Sequence, residues 1–254
     1  SMVGPNCLGV INTDPTVSFS ATFARGLPKP GNIAFISQSG ALGVAALEYA
    51  KEENIGLSKF ISVGNKADIN ESDVLEYLMD DPLTDVILLY LEDVTDHKRF
   101  IELSRIISGE IPHPKPILAI KSGRTIEGAK AASSHTGALS TSDEAYDSLF
   151  IQSGVSRVET MGELFDYAIA LANQPLIRGN KIGIVTNAGG PGIIATDTAV
   201  RYGLNLAQFE KSTTEILKKG LPPTANINNP VDVIGDAGTD RYELSVKAVL
   251  NDIN

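Results

Sequence analysis

The stretch AASSHTGALS, residues 131–140, sets one imidazole, His135, among alanines, serines, a threonine and a glycine. Such side chains cannot fill a core, and the chain holds only 3 histidines in all. The wider segment, KSGRTIEGAKAASSHTGALSTSDEAY (121–146), starts at the end of an apolar run and stays rich in small residues up to the next helical pattern. That composition suits a loop that moves or approaches a ligand closely. A histidine on it is a candidate nucleophile, able to hold a phosphoryl group transiently. A lone histidine more commonly has no chemical duty, so its surroundings must decide.

Three other stretches bear on that decision. LYLEDV (89–94) ends a buried run with Glu92 and Asp93, which places a carboxylate at a strand's C-terminal edge. Beside a histidine, such a carboxylate can fix the imidazole tautomer and stabilise its cation; alone, it reads as a solvated loop acid. SQSGALG (37–43) and TNAGGPG (186–192) each stand where an apolar run hands over to a helical pattern. The unpaired N–H groups of a first helical turn face an anion there, and glycine lets the backbone come close. Ser37, Gln38 and Ser39 add hydroxyl and amide donors. Close packing of helix on strand asks for the same glycines, so a single turn of this kind leaves both readings open.

The elements that position these residues alternate along the chain. Apolar runs at 32–37, 59–64, 85–91 and 116–122 predict buried parallel strands, with a shorter one near 156–158. Helical patterns lie at 42–52, 71–81, 97–108 and 161–174. Strands alternating with helices of this length predict right-handed βαβ units and a parallel sheet. After a linker at 174–180 the pattern restarts: residues 32–60 align without a gap to 181–209, at a constant offset of 149. Identities include Ile33/Ile182, Gly40/Gly189, Gly43/Gly192 and Ala50/Ala199. A duplicated α/β domain accounts for that register, and two helix N-termini aimed at one anion would make a strong electrostatic site.

Composition narrows the class. A chain of 254 residues with 43% hydrophobic and 20% charged residues reads as globular. No apolar run approaches the roughly 20 residues of a membrane helix, and no signal-peptide pattern opens the sequence. The single cysteine, Cys7, suits a reducing compartment, so a cytoplasmic location is expected. A net charge of −10 argues against a nucleic-acid binder that works by neutralising phosphates. No CxxC, HExxH or EF-hand pattern suggests a protein-bound metal.

Taken together, the motifs resemble those of the nucleoside-diphosphate-forming acyl-CoA synthetases, the superfamily of succinyl-CoA synthetase and ADP-forming acetyl-CoA synthetase. The similarity is greatest to the α subunit of the latter. GPNCLGVIN (4–12) is similar to the end of the CoA-binding domain, ISQSGALG and TNAGGPG to the two phosphate-facing helix starts, SSHTGAL (133–139) to the phosphohistidine loop, and NPVDVIGDA (229–237) to a turn of the second ligase domain. GNKADI (64–69) matches a loop near the acyl-phosphate site.

The resemblance implies a fold of two flavodoxin-like, succinyl-CoA synthetase-type parallel-sheet domains. It implies residues 1–29 as the end of a CoA-binding domain plus linker, 30–175 as the first ligase domain and 176–254 as a second one that stops short. It implies phosphorylation of His135, orientation of that imidazole by Glu92, and a phosphoryl cradle of Gln38, Ser39, Gly40 and Ala41 on one side and Gly189, Gly190, Pro191 and Gly192 on the other. CoA, ADP or ATP and Mg2+ serve the parent enzyme, with none bound tightly by this stretch alone. A CoA-binding domain, an ATP-grasp domain or β subunit, a small carboxylic acid with its acyl-CoA, and an oligomeric parent are the expected partners; nucleic acid and membrane are not. The alternative is a non-catalytic, metabolite-sensing module of a lysine acetyltransferase, against which the intact SSHTGAL and Glu92 argue.

Overall fold

The structure is a computed structural model that describes residues 1–125, 127–128, 142–175, 177 and 179–254. His135 lies outside the described residues. The chain divides into two compact units, Ser1–Leu176 and Ile177–Asn254.

In the first unit, β3 (Pro30–Ser37), β4 (Leu57–Ser62), β5 (Val86–Leu91), β6 (Ile117–Lys121) and β7 (Ser156–Arg157) run parallel. β1 (Gly9–Asn12) and β2 (Phe19–Thr22) add an antiparallel edge next to β4. The order is β2-β1-β4-β3-β5-β6-β7. Counted along the chain, the parallel strands thus stand second, first, third, fourth, fifth, which is the flavodoxin-like arrangement. Residues 9–22 lie within the 1–29 stretch that the resemblance gives to the end of a preceding domain plus linker, and contribute two strands to this sheet. Their N-terminal neighbours are tied to the 64–69 loop by the bonds Asn65 N to Pro5 O and Ala67 N to Gly4 O, at 2.9 and 3.0 Å.

The central strands are near-continuous apolar runs because helices cover both faces. On one face α2 (Glu71–Met79), α3 (His97–Arg105) and α4 (Asp143–Ser153) bury Leu75, Phe100 and Phe150 against Ile36, Ile87 and Leu89. On the other, α1 (Gly40–Glu52) and α5 (Met161–Asn173) bury Ala46, Ala50 and Phe165 against Phe35 and Leu88. Phe35 packs against Phe60 and Phe165 with ring centroids 5.9 and 6.1 Å apart. The helix predicted to run to Ser108 leaves the α path at Arg105 and closes in a π turn over Ile106–Glu110. Gly109 lies within that turn and Pro112 just beyond it, and neither supports a continuing helix.

At the N-terminal edge of the sheet, Lys59 pairs with Asp81 at 2.9 Å with both side chains buried. Lys115 donates to the carbonyls of Leu78 and Asp81 at 2.6 and 2.7 Å. Burial pushes the Lys115 ammonium below its ordinary pKa, while Asp81 works in the opposite direction.

In the second unit β8 (Lys181–Ile182) lies parallel to β10 (Asn205–Leu206), and β9 (Val185–Thr186) lies parallel to β11 (Val231–Asp232). Helix α6 (Gly189–Arg201) packs on β9 and β10, while α7 (Lys211–Gly220) and α8 (Thr239–Leu250) enclose a core of Leu217, Val231, Val233 and Ala248.

The internal repeat extends to individual bonds. Ser37 Oγ donates to Ser39 O at 2.7 Å, and Thr186 Oγ1 to Ala188 O at 3.0 Å. Ile55 N reaches Ala50 O at 2.7 Å, and Leu204 N reaches Ala199 O at 2.9 Å. Asn54 and Gly203, which close the two helices, share the left-handed region at φ +56° and +81°.

Candidate functional site

Along the chain, β3 leads to β4 on one side of it and β5 lies on the other, so the strand order reverses between β3 and β5. In open parallel sheets the crevice beyond the carboxyl ends of such strands is where ligands bind. Here that crevice is a cavity of about 370 Å³. Gln38, Ser39, Gly40 and Ala41 enter it after β3, Glu92 and Asp93 after β5, and Gly64, Asn65 and Lys66 after β4. The opposite wall is Asn6, Cys7, Leu8 and Phe23. Five of the sequence-predicted site residues therefore meet in one place. Gly189, Gly190, Pro191 and Gly192 open α6 in the second unit.

The turn before α1 has local causes. Ser39 is the N-cap and its hydroxyl accepts from Leu42 N at 3.4 Å. The N–H groups at the start of a helix have no intrahelical partner and carry the positive end of its dipole. The two glycines of the turn have different reasons. A Cβ on Gly43 would stand 2.7 Å from the Phe60 ring, so packing alone demands glycine there. A Cβ on Gly40 would meet nothing nearer than Leu8 N at 3.6 Å, an ordinary contact. The second copy divides the same way: a Cβ on Gly192 would lie 3.1 Å from Thr186, whereas one on Gly189 would have 3.8 Å of room and one on Gly190 would meet nothing within 4 Å. Helix-on-strand packing thus accounts for Gly43 and Gly192 and leaves Gly40, Gly189 and Gly190 to another cause.

Gln38 is 8% exposed and its amide is committed to the turn after β5. Its Oε1 accepts from Glu92 N at 2.9 Å and Asp93 N at 3.2 Å, while Nε2 donates to Asp93 Oδ1 at 2.6 Å. One Nε2 hydrogen is left to face the cavity. The two adjacent acids, which position along the strand does not separate, have different environments. Asp93 faces Lys66, whose Nζ lies 2.5 Å from Asp93 Oδ1. Burial works to raise the Asp93 carboxyl, but the Lys66 hydrogen bond and charge, with the Gln38 amide and Lys121 behind them, hold it below its ordinary value. Glu92 is half-buried, lines the cavity, and its carboxylate has no hydrogen-bond or ion-pair partner among the described residues.

Sequence reasoning placed the 64–69 loop near the site without singling out Lys66, and missed Glu71 and Lys121 as members of this neighbourhood. Lys121 ends β6 beside Leu91 in register, is buried, and stands 4.4 Å above the Tyr146 ring; burial pushes its ammonium below the ordinary value. An unusual lysine at the end of an apolar strand was the available signal. Among the described residues no group of three or more His, Cys, Asp and Glu could hold a metal ion, and no helix is long and apolar enough to cross a membrane.

Known proteins share this sequence and fold. The family model described as succinyl-CoA ligase like flavodoxin domain matches residues 30–171, and that described as ligase-CoA domain matches 182–254. An ADP-forming acetate–CoA ligase of Methanocaldococcus jannaschii is 50% identical over 236 residues, which are 93% of this chain and 32% of that protein. The α subunit of ADP-forming acetate–CoA ligase II of Pyrococcus furiosus is 44% identical over 253 residues, covering 100% of this chain and 54% of that subunit. A solved structure of dinucleotide-forming acetyl-coenzyme A synthetase 1 from Ca. Korarchaeum cryptofilum, in complex with phosphate and ADP, superposes with a TM-score of 0.91 at 40% identity, over 99% of this chain and 53% of that one. The chain thus spans between about a third and a half of the length of these relatives. On the match of the flavodoxin-type model, on the strand order and on these identities, the chain belongs to the succinyl-CoA ligase-like family, within the nucleoside-diphosphate-forming acyl-CoA synthetases.

Proposed function

We propose that this chain is the phosphoryl-relay part of an acid–CoA ligase that interconverts acyl-CoA, ADP and phosphate with a carboxylic acid, CoA and ATP. In this reading phosphate attacks the thioester carbonyl and CoA leaves as its thiol, giving an acyl phosphate. A nitrogen of His135 then takes the phosphoryl group and the carboxylate leaves. Finally ADP takes that group from phosphohistidine and becomes ATP, with Mg2+ accompanying the nucleotide. The observation that carries the reading is the meeting of the α1 N-terminus and the Glu92 carboxylate, which has no partner among the described residues, at one cavity, at the point where strand order reverses.

Each described residue has a physical task. Phosphoryl transfer depends on positioning and on stabilising charge over the equatorial oxygens. The N–H groups of Ser39, Gly40 and Ala41, with the free Nε2 hydrogen of Gln38, supply donors at the positive end of a helix. Glu92 accepts a hydrogen bond from the imidazole and favours its protonated form after the phosphoryl group departs. In the second unit Gly189 and Gly190 offer the corresponding N–H donors; Pro191, which has no N–H, and Gly192, whose N–H is taken by Ala188 O, complete the turn of a second cradle. Acetate is the acid named for the relatives above, so a small carboxylic acid is the substrate class we assign. The ATP-grasp and CoA-binding functions belong to partner domains or a partner subunit; the Pyrococcus relative is itself named as a subunit.

The test is phosphorylation of the full-length protein, with its nucleotide-binding partner, by ATP–Mg2+. One added phosphoryl group that is acid-labile and base-stable, absent in His135→Ala, is the expected result. No phosphorylation with an active nucleotide-binding partner would discard the relay in favour of a non-catalytic sensing module.

A further inference from the structure

Residues 92–95 donate every one of their backbone N–H groups to a side chain from elsewhere. Gln38 Oε1 takes Glu92 and Asp93, the Tyr146 hydroxyl takes Val94 at 3.2 Å, and Glu71 Oε1 takes Thr95 at 2.7 Å. Lys66 completes the enclosure from below. Its Nζ donates to Asp93 O at 3.0 Å and to Asp93 Oδ1 at 2.5 Å, and lies 3.0 Å from Glu71 Oε2. The Lys66 side chain is 4% exposed and the Glu71 side chain 0%. A turn that needed only to connect β5 to α3 would not require a buried ammonium and a buried carboxylate.

We propose that Lys66 is a positioning residue for Glu92: its ammonium ties Glu71 to Asp93, fixes the turn after β5, and so sets the direction in which the Glu92 carboxylate meets the cavity. The role rests on the reading of Glu92 given above. Lys66 does not serve as a phosphate ligand. Two of its ammonium protons go to Asp93 O and Asp93 Oδ1, the Glu71 carboxylate pairs with the charge at 3.0 Å without accepting a hydrogen bond, and almost none of the side chain reaches solvent. The chain also accepts an unfavourable backbone to place it. Lys66 has φ +54°, in the left-handed region that a lysine rarely adopts. Two positions earlier Gly64 has φ +56°, and a Cβ there would stand 2.3 Å from Pro5 O. Support of this kind, one layer behind the reacting groups, is what holds a catalytic carboxylate to a productive geometry.

Charge gives the proposal a second readout. The groups facing Asp93 are Lys66, the Gln38 amide and, further away, Lys121, with Glu92 adjacent and Glu71 across the ammonium. Without Lys66 the burial of Asp93 is opposed only by Gln38 and Lys121, so its carboxyl rises and protonates at a higher pH.

The experiment uses the full-length protein with its nucleotide-binding partner, and two phosphoryl donors, acetyl phosphate and ATP–Mg2+. Lys66→Met would leave Glu71 and Asp93 facing each other, so it is compared with Lys66→Met/Glu71→Gln, which removes one charge of each sign. Both are assayed below the melting temperature of the double variant. The expected result is phosphorylation by acetyl phosphate roughly 10- to 100-fold slower than wild type, with its acid limb moved to higher pH. Half-saturating acetyl phosphate stays unchanged, and phosphorylation by ATP stays close to wild type. Equal losses with both donors would make Lys66 a general structural residue, and an unchanged acetyl phosphate rate would remove it from the site. A raised half-saturation at constant maximal rate would make it a ligand. Each of these overturns the proposal. A wild-type chain phosphorylated by neither donor would instead remove the phosphohistidine reading, and the role of Lys66 with it.

Discussion

The side-chain oxygen of Gln38 accepts the backbone N–H of Glu92 at 2.9 Å, across the point where β3 and β5 part. The same oxygen takes Asp93 N, and the amide nitrogen takes Asp93 Oδ1. One side chain from the first parallel strand therefore holds the acidic end of the third. In the phosphoryl cradle proposed above, Gln38 is as much a brace as a ligand.

Gln38→Ala removes three hydrogen bonds and leaves two amides without acceptors. An unsatisfied buried group costs about 1–3 kcal/mol. Hydrogen exchange at the Glu92 and Asp93 amides should accelerate by about tenfold or more, the factor that ~1.4 kcal/mol represents. Unchanged exchange at both amides would show that the bonds do not hold the turn.

Gly40→Ala and Gly43→Ala should part company. Alanine at position 43 drives a methyl group into the Phe60 ring, which should destabilise the first unit by about 1–3 kcal/mol as overpacking does. Alanine at position 40 has room, and its helix propensity is better than that of glycine. Its melting temperature should match wild type while phosphorylation of the full-length protein falls, because the methyl group is added to the turn that we propose as the phosphoryl cradle. Equal thermal losses in the two variants would contradict the division of labour between these glycines.

Asp93 makes stability depend on pH in a defined direction. Its native carboxyl titrates below its unfolded value, so its contribution is complete above the ordinary aspartate range, about pH 4, and fades as pH falls through the lower native value. The melting temperature of Asp93→Asn should fall furthest below wild type near neutrality, and the gap should close as pH drops below about 4. A gap that stays constant down to acid pH would mean that Asp93 carries no such linkage.

These relationships mark the boundary of what the residues disclose on their own. Apolar runs such as VILLYL and NIAFIS declare buried parallel strands, because only a strand covered on both faces can be apolar throughout. The repeat between 32–60 and 181–209 is legible because hydrophobic register survives duplication. That Asp93 rather than Glu92 engages Lys66 is not legible. The two acids are adjacent and chemically alike, and the lysine that separates them lies 27 positions away. Nor does the sequence distinguish Gly40 from Gly43, since only the Phe60 ring makes one of them obligatory. The antiparallel edge over 9–22 escaped for a related reason: four-residue strands carry too little periodicity to announce their partners.

Asp81 offers a control at the far edge of the sheet. It is the carboxylate facing Lys59, and its backbone carbonyl accepts from Lys115. Asp81→Ala leaves buried positive charge uncompensated, for which about 3–5 kcal/mol is the expected cost. Phosphorylation measured well below the lowered melting temperature should be unaffected, because the pair stands at the opposite end of the strands from the cavity. A specific loss of phosphorylation in a folded Asp81→Ala protein would show coupling along the strands.

The four-residue turn after β5 draws its acceptors from positions 54, 52 and 24 residues distant for Glu92, Val94 and Thr95 respectively. Contacts so far apart in sequence close only after the segments that carry them have docked, because long loops resist closure. The turn is consequently a late event in the maturation of the chain. A half-folded intermediate would present Glu92 in no fixed direction, so the role we propose for that carboxylate would be conditional on complete assembly of the first unit.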